Sequence, residues 1–480
     1  MGSDLKRYFE HELFFQQTVA FNLLQKFISG GNSRIFILKG YAGTGKTTLM
    51  SGFIKWLREQ HLTWVLLAST GRASKVLSDK TETLSNTIHS FIYIFRDLDD
   101  DLDSLLNKED KLEVNDKGQI SLLFDLKVVG SNLENIYIVD EASMISDTSD
   151  ANSSFAKFGN GKLLTDLLRF DAKGRFIFVG DPCQLPPVGQ GFSPALSKEY
   201  IEKTFGEKVV EYEMTEVVRQ AKKNGIIDAS LKLRILRDTN PAVKWASLPL
   251  KGHSNIVLHE SHASLLRMYI YKVKEFGFDY TTLLCQTNRH CSDLNRILRP
   301  ALGLDSYSLA VNDILLVTQN NNLTGLVNGD IIKVNRIGNR IRRCDLSFVN
   351  VEVQELVSKR ISEVLLIENI LGSMVTNLNS KQHKDLMVDF YLRMKSLGIK
   401  QKDEAFKIRM LEDPFLNALR SVYGYALTCH KGQGGEWNEV FLYLDNKIHG
   451  IPKPEIYQWL YTAVTRAKVT LHIVDDWFVK

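Results

Sequence analysis

The chain has 480 residues, of which 44% are hydrophobic and only 10 are proline. At about 150 residues per domain, this length predicts roughly three domains. Its 60 basic and 56 acidic side chains give a net charge of +4, which is too balanced to indicate a nucleic-acid-binding protein by itself. The five cysteines show no C-x-x-C spacing, so we expect neither disulfides nor structural zinc. Without a long apolar run or a signal-like amino terminus, we also expect a cytoplasmic protein.

Four short apolar runs in the first 180 residues each end at a polar or glycine-rich loop. Such runs are typical of buried parallel strands. Helical patterns separate them, which predicts a doubly wound α/β sheet with ligands at the carboxyl ends of its strands. The predicted strands are 35–39, 65–69, 136–140 and 176–180, and the clearest helical stretches are 47–60 and 160–170.

A second series of strands begins after residue 220, with its clearest members at 281–286, 439–444 and 469–474. A second α/β lobe is therefore expected. Between these strands lie a β-rich segment and then a charged helical one, which we interpret as an insertion. The predicted domains are a first lobe at 1–215, a second lobe at 216–304 plus 421–480, and an insertion at 305–420.

A candidate hairpin interrupts the first lobe within about residues 92–134. Residues 96–116 carry nine acidic and three basic side chains, and the turn residues NDKG (115–118) separate two strand-like runs, KLEV and QISLLF. Turn residues between such runs favour a protruding hairpin. A solvated surface loop is the alternative.

Residues 40–47, GYAGTGKT, match the pattern G-x-x-x-x-G-K-[ST] between an apolar strand and a helix. In that context the backbone amides and the helix amino terminus attract phosphates. Lys46 would reach the β- and γ-phosphates, and the Thr47 hydroxyl would help to hold Mg²⁺. The predicted nucleotide-binding residues of this loop are Gly40, Gly43, Thr44, Gly45, Lys46, Thr47 and Thr48.

Polar side chains follow two further strands. Asp140 and Glu141 end the strand IYIVD, where Asp140 could hold Mg²⁺ and Glu141 could activate the attacking water. Gln184 lies in the proline-rich loop after the strand FIFVG and could sense the γ-phosphate. We therefore predict a catalytic site for ATP hydrolysis at this edge of the first sheet.

The segments GYAGTGKTT, IVDEASM and GDPCQLPPVG, in this order, resemble the first three core motifs of superfamily 1 helicases. TEVVRQ at 215–220 is similar to motif IV, 425–436 to motif V and 460–468 to motif VI. HKGQG departs from the HKSQG or HKAQG of many relatives, which leaves the role of its glycine open. The YTAVTRA ending resembles the RecD-like and Dda-like branch, whose members move 5′ to 3′ on DNA.

This resemblance implies two RecA-like motor domains, with a hairpin insertion in the first and an SH3-like insertion around LVNGDIIKV in the second. It implies ATP and Mg²⁺ as cofactors and a working monomer acting on single-stranded DNA and tailed duplexes. The site residues that it adds are the nucleotide-contacting Gln17, Gln433 and Glu436, the catalytic Arg219 and Arg466, the DNA-binding Thr70, Arg72, His89, Thr428 and His430, and the strand-separating Phe124.

Two other functions remain compatible with these motifs. One is an RNA-directed translocase of the same superfamily, because the motif chemistry barely separates the two nucleic acids and the 2′-hydroxyl is the physical difference. The other is an ATP-gated remodelling protein that does not unwind. The intact Glu141, Arg219 and Arg466 argue against the second alternative.

Overall fold

The computed structural model describes residues 5–30, 32–98, 122–129, 135–149, 156–217, 224–306 and 308–480. Across these ranges, no helix combines the length and the apolar character needed to cross a membrane. The described chain forms two parallel sheets, one larger antiparallel sheet and one small sheet.

The first lobe contains a six-stranded parallel sheet and a separate three-stranded sheet. Its strands are β1 (Ile35–Gly40), β2 (Trp64–Ala68), β3 (Ser85–Thr87), β4 (Tyr93–Leu98), β5 (Leu122–Leu126), β6 (Ile136–Asp140), β7 (Ala156–Phe158), β8 (Arg175–Gly180) and β9 (Val209–Met214). The parallel sheet has the order β3-β2-β6-β8-β1-β9. The four strands predicted in this lobe are confirmed.

Helices cover both faces of the parallel sheet, as a doubly wound fold requires. They are α1 (Phe15–Gly30), α2 (Lys46–Glu59), α3 (Gly71–Thr81), α4 (Ile88–Ile92), α5 (Leu163–Phe170) and α6 (Lys198–Phe205). Alternation along β1 sends Phe36 and Leu38 into a core shared with α1 and α2. Ile35 and Ile37 point into the opposite core. Each such buried side chain contributes about 1.5–3 kcal/mol, so both faces stabilise the strand that leads into the P-loop.

The small sheet has the order β4-β5-β7. β5 runs antiparallel to β4 and parallel to β7. The predicted NDKG turn and the run KLEV lie outside the described residues. The pairing of KLEV with QISLLF therefore stays a prediction.

The second lobe and the insertion share the rest of the chain. Their strands are β10 (Ile256–His259), β11 (Thr281–Cys285), β12 (Ile314–Val317), β13 (Ile331–Arg343), β14 (Leu346–Glu355), β15 (Ile361–Ile367), β16 (Ser421–Tyr423), β17 (Leu427–Thr428), β18 (Trp437–Leu442) and β19 (Ala467–Val474). Their helices are α7 (Gly225–Thr239), α8 (His262–Phe276), α9 (Asn288–Ala301), α10 (Ser380–Ser396), α11 (Glu404–Glu412) and α12 (Glu455–Val464). Parallel strands in the order β10-β19-β18-β11-β17 form the second motor sheet. The predicted second α/β lobe is confirmed.

The insertion consists of an antiparallel sheet, in the order β15-β14-β13-β12-β16, and the helices α10 and α11. Antiparallel pairing continues through β16, just beyond residue 420. The SH3-like character of this unit stays a prediction. Apolar side chains of α10 and α11 pack against Leu98 of the small sheet, and Lys407 Nζ donates to Arg96 O at 2.6 Å. The insertion thus contacts the first lobe directly.

Candidate nucleotide site and lobe interface

The P-loop connects β1 to α2 and forms the floor of the site. Gly43 and Gly45 have φ values of 81° and 80°, in the left-handed region that residues other than glycine rarely occupy. Lys46 Nζ donates to Gly40 O at 2.6 Å and to Tyr41 O at 3.2 Å. The Thr44 hydroxyl donates to Tyr41 O at 2.8 Å. These bonds hold the loop as a cradle of backbone amides, the form that binds phosphates.

A cleft of about 770 Å³ opens over the P-loop between the two lobes, a size within the usual range for ligand pockets. Most of the predicted nucleotide and catalytic residues line it. These are Gln17, Gly43, Gly45, Lys46, Thr47, Thr48, Asp140, Glu141, Gln184, Glu436 and Arg466. The fold therefore brings residues from both lobes to one cavity.

Asp140 and Glu141 lie where β6 ends at this cleft. Glu141 has a φ of 50°, a strained backbone position that turns it away from the strand direction. Burial, reinforced by the neighbouring Asp140, raises the pKa of the Glu141 carboxyl. Burial also raises the pKa of Asp140. A carboxyl group whose pKa is raised accepts a proton more readily, which suits a general base.

Gln184 connects Glu141 to an arginine of the other lobe. We assign the Gln184 amide with its nitrogen towards the carboxylate, because this orientation gives both amide atoms a partner. Gln184 then donates to Glu141 Oε2 at 3.3 Å and accepts from Arg466 Nη2 at 3.2 Å. Arg466 is only 4% exposed, and its Nε donates to Thr462 O at 3.0 Å. One side chain of the first lobe thus bridges the candidate general base and the candidate arginine finger.

The loop that carries Gln184 is also held by the second lobe. Thr462 Oγ1 accepts the Leu185 N–H at 3.0 Å, and Gln433 Nε2 donates to Leu185 O at 3.2 Å. Gln433 therefore reaches this loop, and its predicted nucleotide contact stays a prediction. Sequence reasoning missed Thr462 and its neighbour Tyr461 as site residues, although both lie inside the motif VI segment.

Gln17 lies at the other side of the cleft, near the start of α1. It is buried, its Nε2 donates to Thr44 O at 3.1 Å, and its Oε1 accepts the Phe14 N–H at 3.0 Å. The amide thus fixes the segment before α1 to the P-loop. Adenine recognition by Gln17 stays a prediction. Glu436, also predicted to contact nucleotide, lies 3.8 Å from Lys80 Nζ across the cleft.

Two of the predicted DNA-binding residues take part in structural contacts, one within the first lobe and one between the lobes. The Thr70 hydroxyl caps α3 by accepting the Ala73 N–H at 3.2 Å. The Arg72 guanidinium lies 4.2 Å from the centre of the Trp437 ring in the second lobe, and burial lowers its pKa to about 10. Arg72 therefore contributes to the lobe interface, and its contact with DNA stays a prediction.

The remaining predicted DNA-binding residues are His89, Thr428 and His430. The His89 ring packs edge-on against Phe158 with 5.2 Å between centroids, and burial lowers its pKa. Thr428 accepts the Lys431 N–H at 3.3 Å. Burial also lowers the pKa of His430, so both histidines are favoured in the neutral form, which can still donate one hydrogen bond. Their DNA contacts stay predictions.

Phe124 lies on β5 of the small sheet, and Arg219 lies outside the described residues. The Phe124 ring stacks on Phe158 with 4.6 Å between centroids and meets the edge of Phe95 at 5.6 Å. It is half-buried. The ring therefore has packing partners as well as an exposed part, and its role at a DNA fork stays a prediction.

The fold and the cleft together define a two-lobed P-loop protein whose nucleotide site is completed by its second lobe. Two family models match the chain, the AAA domain over residues 21–247 and the UvrD-like helicase C-terminal domain over residues 423–474. Both matches agree with the superfamily 1 helicase resemblance that the sequence motifs carry.

The chain is similar to known proteins at low sequence identity. The chain is 26% identical over 504 residues to an uncharacterized protein of Methanocaldococcus jannaschii, matching 99% of this chain and 39% of that protein. It is 24% identical over 436 residues to the ATP-dependent RecD2 DNA helicase of Deinococcus radiodurans, matching 91% of this chain and 46% of that protein. The chain thus spans less than half the length of either relative.

A solved structure of two coordinating Pif1 helicases at forked double-stranded DNA has a TM-score of 0.50 and 15% identity to this chain. The likeness covers 98% of this chain and 93% of that one. At this level of identity the likeness supports the fold.

Proposed function

We propose that the protein is an ATP-dependent DNA helicase that moves 5′ to 3′ along single-stranded DNA and unwinds duplexes. The observation that carries this proposal is the bridge from Glu141 through Gln184 to Arg466, because it joins both lobes over the P-loop. A site divided in this way couples hydrolysis to relative movement of the lobes, which is what a motor requires.

The side chains at the cleft fit ATP and Mg²⁺. Thr47 and Asp140 offer the hard oxygen ligands that Mg²⁺ prefers, and both line the same cavity as Lys46. Bound Mg²⁺ would neutralise charge that develops on the phosphates. Lys46 would exchange its two carbonyl partners for phosphate oxygens, while Glu141 would accept the proton of the attacking water. Arg466, together with Arg219 by resemblance, would stabilise the transferring phosphoryl group.

Similarity to known helicases supports DNA as the track, since one relative is named a DNA helicase and a structural neighbour is described at forked DNA. We propose that a monomer binds the tracked strand through five predicted residues in the two lobes and splits the duplex at Phe124. The five are Thr70, Arg72, His89, Thr428 and His430.

The test is an unwinding assay on duplexes with either a 5′ or a 3′ single-stranded tail, with ATP and Mg²⁺. We expect unwinding of the 5′-tailed duplex and little of the 3′-tailed one. Opening only the 3′-tailed duplex would reverse the polarity, and hydrolysis without any unwinding would favour an ATP-gated remodelling protein. ATPase stimulation by equal-length DNA and RNA oligonucleotides, measured alongside, decides the track.

A further inference from the structure

A buried hydroxyl group of the second lobe reaches two parts of the first-lobe site at once. Tyr461, on α12, is 2% exposed. Its hydroxyl accepts the Ala42 N–H of the P-loop at 2.9 Å and donates to Asp181 Oδ2 at 2.8 Å. Tyr461 is not among the residues that line the nucleotide cleft, so its effect on chemistry must pass through these two partners.

The Asp181 carboxylate connects this hydroxyl to the Gln184 loop. Asp181 is fully buried, and its Oδ1 accepts the Cys183 N–H at 2.9 Å. The Gln184 N–H in turn donates to Asp181 O at 3.2 Å. The position of Asp181 therefore sets where the loop begins, and the loop sets where the Gln184 amide meets Glu141.

The buried Tyr461 hydroxyl keeps its proton. Burial, with the nearby Asp181 charge, raises the pKa of the Tyr461 hydroxyl well above its usual value. The neutral hydroxyl can donate to the carboxylate and accept the P-loop amide together. Both first-lobe partners therefore lose this hydroxyl when α12 undocks, and a buried group left unpaired is costly.

We propose that Tyr461 is a positioning residue for ATP hydrolysis, which holds the P-loop and the Gln184 loop in register when the second lobe closes. This inference rests on the proposed function and extends it. Lobe closure then does more than deliver Arg466, because it also aligns the first-lobe groups around the attacking water. The Tyr461–Asp181 bond makes hydrolysis conditional on closure.

The test is Tyr461→Phe, which keeps the buried ring and removes only the hydroxyl. The same helix supplies a matched control, Tyr457→Phe. Tyr457 is 1% exposed, and its hydroxyl has no hydrogen-bond partner within the part of the chain that the structure describes. Both variants lose one buried hydroxyl from α12, but only the first loses the contacts with the P-loop and Asp181.

We expect Tyr461→Phe to lower kcat of DNA-stimulated hydrolysis by about 10-fold to 100-fold, since misplacement of reacting groups by about 1 Å costs on this scale. KM for ATP should change by less than about threefold, because loss of a positioning contact lowers kcat while ground-state binding of ATP is largely kept. Tyr457→Phe should stay near wild type in both. The double variant Tyr461→Phe/Asp181→Ala should lose less than the product of the two single-variant losses, because the two residues share the Tyr461–Asp181 bond.

Equal kcat in the Tyr461→Phe and Tyr457→Phe variants would overturn the positioning role and leave the helicase proposal intact. A loss of kcat in the double variant equal to the product of the two single-variant losses would also overturn it. A wild-type protein whose hydrolysis DNA does not stimulate would overturn both proposals together.

Discussion

Arg466→Ala tests whether the second lobe supplies an arginine finger. The substitution removes a guanidinium that donates to Thr462 O at 3.0 Å and to Gly435 O at 3.2 Å. It also removes the contact of Nη2 with Gln184 at 3.2 Å. Nη2 also donates to Thr465 Oγ1 at 3.2 Å. The variant therefore loses its contact with the candidate catalytic Gln184 and three structural contacts, and the two kinds of loss have to be separated.

The magnitudes allow that separation. An arginine finger is worth about 10³ to 10⁵ in rate, which corresponds to about 4–7 kcal/mol of activation free energy at about 1.4 kcal/mol per factor of ten. A buried carbonyl left without a donor costs about 1–3 kcal/mol of folding stability. This cost applies to Gly435 O, since Thr462 O still accepts from Thr465 Oγ1 at 3.1 Å. The catalytic loss lowers turnover of folded protein, whereas the structural loss lowers the melting temperature. Arg466→Lys keeps the charge without the planar fork, and should lose turnover with a smaller loss of stability.

The assay measures kcat and KM for DNA-stimulated hydrolysis, the dissociation constant for ATP, and the melting temperature of each variant. We expect kcat to fall by at least about 10³-fold in Arg466→Ala, while ATP affinity changes far less, because the interaction forms mainly in the transition state. Weakened nucleotide binding with unchanged turnover at saturation would reject the arginine finger.

Three further predictions use the same assays. Lys46→Ala should abolish turnover while binding of single-stranded DNA survives, since the phosphates lose their main protein cation; near-normal stimulated hydrolysis would contradict the P-loop assignment. Glu141→Gln should slow hydrolysis by at least about 10²-fold and trap ATP, and a loss below tenfold would place the general base elsewhere. Phe124→Ala should keep DNA-stimulated ATPase activity and most of its thermal stability but unwind poorly, because stacking on a base is worth roughly 1–3 kcal/mol. Parallel losses in ATPase activity, melting temperature and unwinding would instead assign the ring to packing on Phe158.

The strands and the P-loop were predictable because their signals are local. An apolar run such as 35–40 followed by glycines and a lysine specifies a strand, a phosphate cradle and a helix without help from the rest of the chain. The carboxyl end of β6 placed Asp140 and Glu141 at the same sheet edge for the same reason. The order of strands across the sheet carries no such local signal, since it depends on which helix packs on which face.

The contacts between lobes could not be predicted from the sequence. Arg72 follows a strand and was expected on the DNA track, but its guanidinium packs on Trp437 of the second lobe. A guanidinium suits both uses, because it binds phosphates and stacks on aromatic faces equally well. Only the docking of the second lobe on α3 shows which contact forms in this structure.

The same limitation explains why the Gln184 loop can be found in the sequence although its contacts with the second lobe cannot. The Leu185 N–H donates to Thr462 and the Leu185 carbonyl accepts from Gln433. Both backbone polar groups of this first-lobe residue therefore bond to the second lobe. If the lobes part, these backbone groups lose their partners, and water must replace them before the loop relaxes. Gln184, the preceding residue, moves with this loop. Separation of the lobes therefore withdraws Arg466 and also disturbs the amide that contacts Glu141, so an open form should hydrolyse ATP slowly even with the P-loop and the general base intact.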